Sequence, residues 1–295
     1  MFICTGTAAI AQPSDKFNGS LLWKISGNGL QNPSYILGTH HLYALDFFDE
    51  IAGARAALES SSQVVGELLM ADQGELATRM QLAAMLPEGV TYNDLLSESD
   101  YAKLDEGLKG LMGVGLDQFG VFKPGMISAM LSMVIFAQAN PGFNAQEHTA
   151  IDVYVQNYAE ENGSPVIGLE TVEDQLYALF DAEPLKYQAE QLVCSVANLD
   201  YGVEQLKKLG EYYAAGNLAA MYDLAFNSPD DPCPSSETYR NSLAKERNDK
   251  WIEQLPAIMA EGQSFVAVGA LHIAGEEGLL WQLDKMGYTV TAVTE

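Results

Sequence analysis

The chain has 295 residues, 48% hydrophobic and 19% charged, enough to bury roughly three quarters of its unfolded surface without a metal or disulfide staple. Fifteen Lys and Arg stand against 40 Asp and Glu, a formal net charge of −25. So acidic a surface all but excludes nucleic acid as a partner, because phosphate binding needs basic side chains that release counterions, and it disfavours docking on anionic lipid.

In chain order the first signal is Ala9-Ile10-Ala11 before Gln12, the small-x-small pattern of a signal-peptidase site. The eight residues before it carry no basic side chain and little apolar core. Residues 1–17 therefore read as a signal-peptide remnant or a disordered tail, and 18–295 as one α/β domain. On the first reading the protein is periplasmic or otherwise exported. No later stretch reaches the roughly 18 to 20 apolar residues of a membrane-spanning helix; the best candidate, 126–137, is too short and reads as a buried helix.

Leu21 to Ile25 and Tyr35-Ile36-Leu37, joined by a turn-rich segment, predict a hairpin. Three short apolar runs follow at wide intervals: Gln63-Val64-Val65, Pro165-Val166-Ile167 and Ser264 to Val268. An alternating run over 288–293 predicts the strand that closes the sheet. Helices are predicted over 50–61, 74–85, 97–111, 124–139, 151–162, 172–181, 184–215 with a break near Tyr201-Gly202, and 237–261. Short strands separated by helices predict α/β architecture, a central mixed sheet flanked by helices. The helices over 74–139 and 172–261 exceed what crossovers need, and read as insertions that wall a cleft. Cys194 falls on a helix and Cys233 on a Pro-flanked loop, which makes them the disulfide candidate if the chain is exported.

Four apolar runs end in glycine-punctuated polar tips: Gly38-Thr39-His40-His41, Gly66-Glu67, Gly168-Leu169-Glu170-Thr171 and Gly269-Ala270-Leu271-His272. Ligands of open α/β sheets bind beyond the carboxyl ends of strands. The glycines allow either positive φ or close backbone approach there. Three of the four histidines of the chain share these places with two carboxylates. His40 and His41 adjoin on an extended backbone, so their rings point to opposite faces; either one could be the ring that reaches the site. His148 reads as a helix-start residue. Glu170 and Asp152 have the alternative explanation of an acid favouring a helix first turn.

In this order and spacing the motifs resemble those of the TraB/GumN-like proteins, which include the TIKI metalloproteases. The resemblance spans nearly the whole chain after the tail. It rests on Leu22-Trp23-Lys24-Ile25 and the first G-x-x-H block ending at His41, the acidic Glu67, and a middle block from Ile151-Asp152 through Glu170 to Gln175. Glu246-Arg247-Asn248 with Trp251 resembles the family's Arg-Asn helix, and Gly269 to His272 its closing G-x-x-H. A fold shared with erythromycin-esterase-like and ChaN-like haem-binding proteins is implied.

The function expected from these residues is a divalent-metal-dependent hydrolase acting on a peptide or protein. His41 and His272, with Glu67 or Glu170 as the carboxylate, would be ligands to zinc, manganese or cobalt. The carboxylate not used as a ligand would be the general base, with Arg247 stabilising the oxyanion and His40 supporting the site from behind. Three alternatives stay open: a metal-free hydrolase built on a His/Glu base dyad, a haem-binding protein, and a non-catalytic peptide-binding module.

Overall fold

Six strands form one sheet: β1 (Leu22–Ser26), β2 (Ser34–Thr39), β3 (Gln63–Gly66), β4 (Val166–Gly168), β5 (Ser264–Gly269) and β6 (Thr289–Ala292), in the order β4-β3-β5-β2-β1-β6. This computed structural model describes residues 16–70, 73–140, 143–144 and 148–294. The Ala-x-Ala tripeptide and Cys4 lie outside them, whereas Phe17 packs against Trp23 and Trp281.

β1 and β2 form the predicted hairpin, with Leu22 opposite Leu37 and Ile25 opposite Ser34. Its turn places Gly27, Asn28 and Gly29 at positive φ, a conformation that glycine adopts without penalty and Asn tolerates. β2, β5, β3 and β4 are mutually parallel. Both faces of β3 and β5 are covered, which explains why they read as unbroken apolar runs rather than alternating ones. β6 pairs antiparallel with β1 at the edge, and its exposed Thr289 and Thr291 account for the alternation.

The helices largely follow the sequence reading, with instructive departures. The predicted helix over 50–61 is two, Asp46–Glu50 and Ala54–Ser60, because Gly53 adopts φ 70° between them. The break predicted at Tyr201-Gly202 lies instead at Asn198, between Leu185–Ala197 and Leu199–Ala214. There the Asn198 amide donates to the Cys194 carbonyl, a local bond that competes with helix propagation; Gly202 passes inside the second helix. Residues 237–261 form one helical run interrupted by a π-helical turn, Asn241–Lys245, a distortion that often accompanies functional sites. Short helices at Tyr92–Leu95, Leu116–Phe119, Leu218–Phe226, Ala270–Ile273 and Leu279–Lys285 are too brief for periodicity to announce.

Two buried apolar clusters result. One joins the sheet to its flanking helices around Trp251, Phe265 and Phe48; the other lies within the helical insertions around Tyr92, Leu104 and Leu192. No helix among the described residues is long and apolar enough to cross a membrane.

Cys194 and Cys233 are bridged, with Cα atoms 5.8 Å apart. The bond ties the Pro-flanked loop to Leu185–Ala197, as the placement of the two cysteines predicts. Thiol titration of the unfolded, non-reduced chain is expected to find neither Cys194 nor Cys233 free. Three free thiols would remove the bridge, and reducing it should cost on the order of 2 to 5 kcal/mol of stability.

Candidate active site

The four polar tips lie at the carboxyl ends of β2, β3, β4 and β5 and share one side of the sheet. Their glycines have ordinary negative φ, so the need is for close approach rather than a left-handed backbone. A Cβ on Gly38 would lie 2.7 Å from Ile273 Cδ1 and 3.0 Å from Ala270 Cα. Its absence lets the end of β2 rest on the short helix that carries His272. A Cβ on Gly66 would collide with the Gln156 amide nitrogen. That amide pins the loop after Glu67, donating to Leu68 O at 2.9 Å and accepting from Met70 N–H at 3.0 Å.

Arg247, just after the π-helical turn, reaches over the tips. Its Nε donates to Glu170 Oε2 at 2.8 Å, and its Nη2 to Glu170 Oε1 and Glu67 Oε2, each at 2.6 Å. Nη1 donates to the Leu243 carbonyl at 3.1 Å and to His272 Nε2 at 2.9 Å. The guanidinium also lies over the Trp251 ring, 4.7 Å from its centroid, and the His272 ring packs on the same indole at 4.4 Å. Glu170 is therefore not a helix-start acid. The first turn of Val172–Phe180 is capped by Thr171 and Asp174 in a capping box, which leaves Glu170 free to turn inward.

Charges follow from this packing. Burial alone would raise Glu67, but His272, Arg247 and His41 around it, with the Gly269 N–H on Oε1 at 2.7 Å, hold it down to about 2. Glu170 is raised, because burial outweighs Arg247 there; of the two carboxylates on one guanidinium, it protonates first on acidification. Burial lowers His272 to about 4, so its ring is neutral at pH 7.

His41 lies close enough to that cluster to feel its charges, but its ring bonds elsewhere. Its Nδ1 lies 2.8 Å from Asp152 Oδ2, while 61% of its side-chain surface stays open although the ring is surrounded by protein on the cleft floor. The Asp152 hydrogen bond raises its pKa to about 9 against the effect of desolvation. Nε2 has no hydrogen-bond partner among the described residues and faces the cleft. His40 also borders the cleft, with Nδ1 accepting from Leu42 N–H at 3.2 Å and its ring among Tyr43, Tyr213 and Phe136. Burial lowers it to about 4. His148 lies before the helix Ile151–Glu161 and donates from Nε2 to the His41 carbonyl at 2.7 Å.

Above this floor opens a cleft of about 670 Å³. Apolar side chains of the helical insertions, among them Leu76, Met80, Leu179, Leu209, Phe226 and Leu243, form its walls; Thr39, His41, Glu67, Asp152, Arg247 and His272 reach it from below. Thr39 Oγ1 and Asp152 Oδ1 are buried without a hydrogen-bond partner among the described residues. Such atoms are costly to leave unpaired.

His41, His272 and Glu67 have the donor chemistry of a zinc, manganese or cobalt site, but as arranged they do not fit one. Among the described residues no three His, Cys, Asp or Glu side chains come together as a metal-binding group. The reason is the guanidinium, which lies between Glu67, Glu170 and His272 and uses the His272 lone pair. All five N–H groups of Arg247 are engaged, leaving none for the oxyanion role expected from sequence.

Sequence reasoning missed Asp152, Thr39 and Asn248 as functional groups. Asp152 and Asn248 stand inside recognisable blocks, yet an acid in a helix first turn looks the same whether it caps or reaches a histidine. A model of the family described as TraB/PrgY/gumN matches residues 21–292. No curated protein and no solved structure matches the chain.

Proposed function

The chain belongs to the TraB/PrgY/gumN family, and we propose that it is a hydrolase of peptide-like acyl substrates in which His41 transfers the proton. The observation that carries this reading is the His41–Asp152 pair, one nitrogen held at 2.8 Å and the other turned to the cleft. Asp152 fixes the proton on Nδ1, so the neutral ring offers Nε2 as a base. Nε2 takes a proton from water, the hydroxide adds to the carbonyl carbon, and the same proton passes to the leaving nitrogen or oxygen as its bond to carbon breaks. We assign the donor to the developing oxyanion to the Thr39 hydroxyl, buried and unpartnered beside the cleft. Glu67 and Glu170 serve as anchors for Arg247: Glu67, held near 2, is a weak base, and both Glu170 oxygens accept from the guanidinium. The apolar walls favour substrates with hydrophobic side chains. The Cys194–Cys233 bridge supports a place outside the cytoplasm.

A second reading, a zinc-, manganese- or cobalt-dependent peptidase, has one observation in its favour. Both His41 and His272 are held through Nδ1 by a side-chain oxygen, the way metal-ligating histidines are oriented. A screen of peptide and ester libraries, with and without chelator, separates the two. Hydrolysis is expected to survive chelation. Loss on chelation with recovery on adding one ion favours the peptidase, and peptide binding without turnover would sink both.

A further inference from the structure

We infer that Arg247 is the resident cation of this site, standing where a divalent ion would draw its ligands, and that His272 is a positioning residue for its guanidinium. The inference rests on the hydrolase reading for what the site does, but its geometry stands apart from any turnover.

Two independent constraints meet at His272. On one side, the Asn248 amide is fixed by the backbone. Its Nδ2 donates to the carbonyls of His272 at 3.2 Å and Glu277 at 2.9 Å, so Oδ1 must face the ring and accepts from His272 Nδ1 at 2.8 Å. The ring proton is thus on Nδ1, and Nε2 carries a lone pair. On the other side, Arg247 Nη1 points at that lone pair from 2.9 Å. A guanidinium can only donate, so the two requirements agree on one tautomer.

The acceptors of Arg247 form the donor set that a metal would need. Five N–H groups meet five lone pairs: two on Glu170, one on Glu67, one on His272 Nε2 and one on the Leu243 carbonyl. The same lone pairs cannot bind an ion while they accept from Arg247. Withdrawing the guanidinium would also undo its stacking on Trp251 and strand two carboxylates whose side chains are 12% and 2% exposed, which is unfavourable for buried charge.

Equilibrium dialysis of the full chain against zinc, manganese and cobalt, read by elemental analysis, tests this without reference to activity. Wild type is expected to retain substoichiometric metal, and His272→Gln no less than wild type. Arg247→Met frees two carboxylates and an imidazole, and is expected to bind zinc at least about tenfold more tightly, since ligand affinity appears once competing protons and cations are removed. One ion per wild-type chain, lost in His272→Gln, would overturn the inference, as would a folded Arg247→Met that binds no more zinc than wild type. Should Arg247→Met fail to fold, nitrogen NMR of wild type decides. A His272 Nε2 signal of unprotonated character that zinc leaves unmoved supports the assignment, and one that shifts on adding zinc refutes it. Failure of the hydrolase reading shows elsewhere, as absent turnover with these metal results unchanged.

Discussion

Replacing His41 with Asn is expected to reduce hydrolysis by about 10²- to 10⁴-fold, the usual contribution of a positioned acid–base group. The melting temperature at pH 7 should fall as well, because the buried Asp152 loses the partner of its Oδ2. The pH profile carries a stronger demand. His41 acts as a base only when neutral, and Asp152 raises its pKa to about 9. In wild type, kcat/KM should therefore climb with pH and level off above about 9. Asp152→Asn removes the cause of that elevation, so the inflection should move down towards the ordinary histidine range near 6.5 while the plateau drops. Stability has the opposite sign: a raised pKa stabilises the fold fully below 6.5, and that contribution is lost as pH rises through 9. Steady-state kinetics from pH 6 to 10 on both variants checks the argument. A wild-type profile flat through 9, or Asp152→Asn with the wild-type inflection, would remove His41 from the chemistry.

Arg247→Met is expected to destabilise the fold by about 3 to 5 kcal/mol, the typical result of removing one partner from a buried ion pair. For a chain of this size each kcal/mol lowers the melting temperature by roughly 2 to 4 °C, so the change is well above measurement error. The cost does not come from the lost hydrogen bonds alone. Glu67 is held near 2 by its neighbours against burial, and its contribution to stability is present above about 4.5 and fades as pH falls towards 2. Without Arg247 one of the causes that hold Glu67 down is lost and Glu170 loses the cation that opposes its burial, so both carboxylates move up and that contribution shrinks. Adding Glu170→Gln to Arg247→Met should then recover part of the loss, because a like charge is removed from the same pocket. Double-mutant thermal denaturation at pH 7 measures the coupling. Arg247→Lys should not rescue, since a single ammonium cannot reproduce the planar fork that spans Glu170, Glu67 and His272. A melting temperature of Arg247→Met within a degree or two of wild type would show that the cluster does not hold the floor together.

Much of the framework was legible in residue order because it is set by local chemistry. An apolar run, a glycine and then a polar residue is what the end of a buried parallel strand looks like, so the tips at His41, Glu67, Glu170 and His272 could be placed at one end of a sheet before any coordinates. The hairpin of β1 and β2, the long helices and the Cys194–Cys233 pairing follow from the same kind of local reading. The family match over residues 21–292 agrees with the resemblance those motifs carry.

What residue order left open was always a choice between partners. Asp152 in a helix first turn could cap or reach a histidine; 111 residues separate it from His41, and only the packing of Ile151–Glu161 beneath β3 brings the two within 2.8 Å. An extended backbone was expected to set the rings of His40 and His41 on opposite faces; instead β2 ends at Thr39 and a turn closed by Tyr43 N–H on the His40 carbonyl follows, and only tertiary packing gives one ring Tyr43, Tyr213 and Phe136 and the other Asp152. Arg247 could face solvent, substrate or a carboxylate. Four acceptors from three remote segments converge on it beside the Leu243 carbonyl of its own helical run, and such satisfaction of hydrogen bonds is a property of three-dimensional arrangement that no spacing encodes. By itself the sequence determined which chemical groups stand at the strand ends, since hydrophobic pattern and glycine act over a few residues. Tertiary structure alone decided which lone pairs and protons are spent on one another, because apart from the Arg247–Leu243 bond those contacts join residues 24 to 180 positions apart.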